Sequence, residues 1–456
     1  MIDLFENIIT GEKLSKYRTN HFHMFVDVDL PFSEDKNRSF NESIQSMSDE
    51  VFGTLIHEYV HFVQHLTTMY CIRLCDMYHR ISMRYRTYIQ EHDEITLPLQ
   101  QWNDEETIQY LNGVKEIFGS KSCSYNIDEI EISLNDLKVA KKDKKAVNIG
   151  GYDFENNKIY ENGFSFGYTC VIESMAHSIQ KIFDPDVHHS TIPYCAAEIV
   201  LEKYYPELVN DNLMIASICY CALHWDNPGV GFFEVVDIVK QHPEWDGRQL
   251  YKHIAKDYAI NIQGHQMPRY MAVVKFLDEF IHGLENLLGT NLEYYNSVVV
   301  NCKVEAMKSE SFLLDVLYNV PSEKKQIIFN SLVNFYGYPV IDANNCTILP
   351  KRDIEGQEKP YLETAVLFGW ELILSRIREV EGKKACDRLD ICRKGIYDAP
   401  ESCAVSEYCV SEPWKNNNTC PFTECMKYFG FTEKKFFARN FNTISKNQKY
   451  LAMNQL

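Results

Sequence analysis

From His21 the run HFHMFVDVDLPF alternates apolar with polar positions, is rich in β-formers and stops at a proline, which predicts a strand. At Ser48 the period changes to that of a helix. Ser48 supplies a cap and Asp49 and Glu50 supply N-terminal negative charge, and the helical pattern then runs from about Val51 past Tyr70 and as far as Gln90. Residues 94 to 150 are polar, with one helix from Asp104 to Phe118 and the charged run KVAKKDKKAV, the signature of a surface insertion. The stretch VNIGGYDFENNKIYENGFSFG sets glycines and asparagines between short β-like runs and predicts a hairpin. It leads into a helix whose Tyr168, Val171, Ile172, Met175, Ile179 and Ile182 form one apolar stripe. Residues 190 to 382 read as successive helices, with one short strand near Tyr338 to Ile341, and the remainder is cysteine-rich and irregular. These patterns predict a predominantly helical α+β protein in three parts: a mixed part over 1–189 with a small sheet and the 94–150 insertion, a helical part over 190–381, and a cysteine-rich part over 382–456.

Composition narrows the classes. The chain has 456 residues, beyond the roughly 250 to 300 at which one core stops growing. Its 64 acidic against 46 basic residues leave a net charge of −18, which argues against broad capture of nucleic acid or of an anionic membrane surface. No uncharged apolar run of 18 residues and no secretory leader is found, so a cytoplasmic protein with no membrane attachment is expected. Fifteen cysteines, an odd number without a secretion signal, then point to reduced thiols or metal thiolates and away from a disulfide framework.

The chemistry is carried by HEYVHFVQH, starting at His57. Positions i and i+4 share a helical face, so His57 and His61 can bind one ion, and Glu58 then lies beside it as a base for a water molecule. On a helical wheel Thr54, His57, Glu58, His61, His65 and Thr68 make one stripe, with apolar residues around the rest. Between Val51 and Ile72, Glu58 is the only charged side chain, so the helix should be buried on both sides. Buried imidazoles need partners, and a metal ion supplies one to each. His65 extends the row, but its distance from His57, about 12 Å along the axis, is too great for one ion, leaving it a cleft or core histidine. The best third ligand is Glu173 in FGYTCVIESMAH, on a polar stripe with His177 and Gln180, and Glu198 is the reserve.

Together, HEYVH from His57 and ESMAH from Glu173 resemble the zincin metallopeptidases, specifically the gluzincin branch, over residues 20 to 185. The resemblance implies a small sheet, then the HExxH helix, then a ligand helix. It implies Zn²⁺ held by His57, His61 and Glu173, Glu58 as the base, and a peptide or protein as substrate. Two features depart from the pattern: many gluzincins carry an aspartate where this chain has His177, and the GxMEN segment of the aminopeptidases is missing. His177 and Tyr168 are the candidates for stabilising an oxyanion. Hydrolysis of a non-peptide amide or ester and a regulatory zinc module without catalysis are the alternatives, the second disfavoured by the intact Glu58. An activating protein partner is left open.

In the tail, Cys386, Cys392, Cys403, Cys409, Cys420 and Cys425 fall in pairs whose first members recur every 17 residues. That regularity suggests a thiolate metal site, although the spacing within pairs is not CxxC, and buried unpaired thiols are the alternative.

Overall fold

A computed structural model of the chain describes residues 16–18, 22–30, 43–97, 99, 105–122, 129–153, 160–262, 264–344, 346–348, 350, 359–377, 406–411, 415 and 420–438. They are predominantly helical, with small sheets.

The motif helix spans Asp49–Thr67. Its first turn is capped as expected: the Val51 amide donates to Ser48 Oγ at 3.3 Å, and Asp49 and Glu50 oppose the helix dipole. All of its residues from Phe52 onward except Thr54 are buried, so both sides of the helix are covered. The single long helix expected to reach Gln90 is instead two, because the chain breaks at Thr68 (φ −108°, ψ 139°) and resumes as Met69–Glu91. The hydroxyls of Thr67 and Thr68 donate back to the Val63 and Gln64 carbonyls at 2.7 and 2.8 Å. Beyond the break the Tyr70 amide donates to Leu223 O at 3.0 Å, a partner from a distant segment. Such back-bonding threonines loosen a helix without the glycine or proline that would announce its end.

The predicted strand forms as His23–Val26, in a four-stranded sheet that packs on the motif helix. Lys16–Arg18 pairs antiparallel on one side of it, and Val340–Ala343 pairs parallel on the other. Thr347–Ile348 closes the far edge. The expected hairpin is present: Val147–Asp153 pairs antiparallel with Tyr160–Phe166, in register from Val147 opposite Phe166 to Asp153 opposite Tyr160. It runs directly into the ligand helix, Tyr168–Phe183. Gly167 makes that junction, where a Cβ would stand 2.2 Å from Ile117 O, so only glycine fits between hairpin and helix.

Within the polar stretch 94–150 the charged run is a helix, Leu134–Asp143, capped by Ser133. Ile95, Leu97, Val114, Phe118 and Ile130 of the same stretch are buried. One hydrophobic cluster joins side chains from Tyr17 to Phe436, and Lys435–Ala438 pairs in parallel with Glu94–Leu97, tying the cysteine-rich part to the rest. Cys386, Cys392 and Cys403 lie outside the described residues. Cys409, Cys420 and Cys425 enter no group with metal-ligand spacing among the described residues, and Cys420 Sγ instead accepts from the Thr423 amide at the start of the helix Pro421–Tyr428. No helix among the described residues is long and apolar enough to cross a membrane.

Candidate metal centre

The motif helix and the ligand helix pack side by side. Gly53, one turn before His57, permits their approach: a Cβ there would lie 2.9 Å from Asp184 Cβ and 3.3 Å from Gln180 Cγ. With the helices this close, Glu173 reaches both motif histidines. Its Oε2 lies 3.4 Å from His57 Nε2 and 3.4 Å from His61 Nε2, and all three residues are at most 5% exposed. Two ligands at about 2.1 Å from a tetrahedral zinc ion stand about 3.4 Å apart, so both observed separations are those of a zinc site.

The hydrogen bonding points the same way. His61 Nδ1 lies 2.7 Å from Gln64 Oε1, and because an amide oxygen only accepts, Nδ1 carries the proton. Gln64 is held in turn, since its Nε2 donates to Ile172 O at 3.0 Å, on the residue before Glu173. The tautomer so fixed turns a lone pair on His61 Nε2 toward Glu173 Oε2, and both atoms are buried with no hydrogen-bond partner. Two buried lone pairs facing each other are costly unless a cation stands between them. The donor set therefore fits zinc: two imidazoles, one carboxylate and a second shell that orients them.

Charge favours the metal-binding forms of Glu173 and His57. Burial tends to raise the Glu173 pKa, but the adjacent imidazoles outweigh it and bring the carboxyl down to about 2. At His57 burial prevails over Glu173 and lowers the pKa, keeping the ring neutral, whereas at His61 burial is again the largest single influence but Glu173, Glu58 and Gln64 together outweigh it and raise the pKa. Glu58 is 3% exposed and faces the same cluster, where its charge contributes to the rise at His61.

The other sequence candidates divide. His177 lies one turn beyond Glu173, buried, with Nε2 3.4 Å from Cys195 Sγ, and burial pushes its pKa down to about 3. Tyr168 is not brought to the cluster. Its hydroxyl lies 3.6 Å from Cys71 Sγ and its ring packs against Tyr70 and Phe118, which makes it a core aromatic. Glu198 pairs with Lys181 at 2.9 Å, away from His57 and His61. His65 is a core histidine, its Nδ1 2.8 Å from Tyr17 Oη and its ring stacked on Phe22.

Two residues without a sequence signal do reach the centre. His189 and Tyr194 stack on each other at 4.5 Å, and their rings stand 5.8 and 5.9 Å from that of His57. They belong to the segment that follows the ligand helix, where His188 is exposed but His189 is half-buried, with Nε2 3.0 Å from Gln180 Oε1. Comparison with known protein families, curated proteins and solved structures found no match to this chain.

Proposed function

We propose that this protein is a zinc-dependent hydrolase that cuts peptide bonds, with His57, His61 and Glu173 holding the ion. The observation that carries the reading is the convergence of His57 Nε2 and His61 Nε2 on one oxygen of Glu173, with the Glu58 carboxylate buried beside them. Among the described residues three protein ligands converge, and this supports catalysis over a purely structural role, which takes four. The order of small sheet, HExxH helix and ligand helix agrees with the gluzincin resemblance.

When bound, zinc supplies Lewis acidity, lowering the pKa of water and polarising a carbonyl. Glu58 accepts the proton of the attacking water and returns it to the leaving amine. Gln64 keeps His61 in the binding tautomer. Tyr194, beside His57, takes the oxyanion-stabilising role that Tyr168 is too remote to fill, with His189, whose Nε2 donates to Gln180, stacked on its ring.

Glu58→Gln tests the reading, because it keeps the side chain's size while removing the base. Zinc content and fold should persist, and cleavage should fall by about 10²- to 10⁴-fold. Substrates are found by comparing new peptide termini in cells expressing wild type or variant, and then assayed with purified protein. Undiminished cleavage by zinc-loaded Glu58→Gln would refute the mechanism.

A further inference from the structure

We propose that His177, Cys195 and Glu198 form a second cation site, for a thiophilic divalent metal with zinc foremost, adjoining the first but sharing no ligand with it. One ligand atom from each of the three residues lies within 4.8 Å of the others. His177 Nε2 and Cys195 Sγ are 3.4 Å apart, close to the roughly 3.6 Å between a nitrogen and a sulfur on tetrahedral zinc at 2.1 and 2.3 Å. His177 is 3% exposed, its Nδ1 has no hydrogen-bond partner, and its Nε2 is turned to Cys195 with the ring edge-on to His189. An imidazole, a thiol and a carboxylate select zinc or cadmium over magnesium or calcium.

The backbone presents the set from two elements. Glu173 and His177 are four residues apart on the ligand helix, so they stand about 6 Å apart along its axis, beyond the roughly 3.5–4 Å of ions that share a bridging ligand. Cys195 is the N-cap of the helix Ala196–Tyr204, and Glu198 sits in its first turn, three residues on and on the same face. A cation already stands at this carboxylate: Lys181 Nζ donates to both Glu198 oxygens, at 2.9 and 3.0 Å. The Lys181 side chain is 25% exposed and can swing into solvent. Metal binding displaces that ammonium and releases the Cys195 proton to water, leaving a thiolate–metal bond. The bond would clamp the segment that carries His189 and Tyr194 to the ligand helix, beside His57.

The test titrates the full chain, carrying one equivalent of zinc, with Cd²⁺ and follows sulfur-to-metal charge-transfer absorption, which the sulfur-free first site cannot produce. Other cysteines contribute to the total, so differences between variants are read, with circular dichroism confirming that each is folded. Cys195→Ser and His177→Ala should each lose one equivalent of cadmium, Cys195→Ser losing the matching share of the band with it. His57→Ala/His61→Ala should keep both, so the two sites fail or succeed separately. Lys181→Met, which removes the competing ammonium, should tighten this binding several-fold. Stoichiometry and band unchanged in Cys195→Ser would overturn the proposal. So would a loss in Cys195→Ser that neither His177→Ala nor Lys181→Met affects, since the band would then belong to cysteine alone.

Discussion

Gln64 shows how much of the candidate metal centre depends on a side chain outside the three candidate ligands. Its carbonyl fixes the His61 tautomer and its amide holds the backbone beside Glu173, so one residue positions ligands on two helices. Gln64→Leu should lower zinc affinity by about 10- to 100-fold in competition with a chromophoric chelator, while Gln64→Glu, which can still accept from His61, should recover part of the loss. Full affinity in the leucine variant would show the contact to be incidental. At this scale the sequence was informative where spacing does the work: His57, Glu58 and His61 share a face by helical arithmetic, and Glu173 stood out on a polar stripe with His177 and Gln180. Tyr168 was misread because its position beside the ligand stripe said nothing of the Cys71 sulfur it meets. His189 and Tyr194 were missed because residues after a helix end have no period from which to infer a direction.

The two helices must approach closely for one carboxylate oxygen to reach both imidazoles, and Gly53 is a point where no side chain would fit between them without a shift. In an isolated helix, alanine for glycine would stabilise by about 1 kcal/mol. Here the new methyl would meet the root of the Asp184 side chain at 2.9 Å, where little can move. Gly53→Ala should therefore destabilise the protein by about 1–3 kcal/mol, as overpacking does, and weaken zinc binding by parting the helices. Denaturant unfolding and zinc competition on one preparation check both, and a more stable variant with unchanged affinity would show that the helices do not need this contact. Helices and hairpin were legible from their periods. The break at Thr68 was not, because it depends on a carbonyl at Leu223 that no local window contains.

Across the molecule, several imidazoles are buried uncharged. Burial holds His79 and His224 at about 3, and burial together with neighbouring His79 does the same for His65. An unfolded chain protonates these groups near 6.5 and the native one does not until far lower pH, so their contribution is complete above about 6.5 and is lost as pH falls. Each should steepen the loss by up to about 1.4 kcal/mol per pH unit. Denaturant melts of His79→Leu between pH 6 and 4.5 should show a slope shallower than wild type by about that amount, and an unchanged slope would mean that His79 is protonated in the native state. The sheet beneath the motif helix was only half legible: the first strand alternated clearly, but its parallel neighbour is Val340–Ala343, some three hundred residues later. That pairing sets the order of events during synthesis. At roughly 5–20 residues per second, the HExxH segment leaves the ribosome tens of seconds before the strand that completes its support, so the nascent chain holds the motif residues without their platform. Assembly of the sheet therefore waits until most of the chain exists, and under the proposed function that delay would keep the growing polypeptide from its own chemistry.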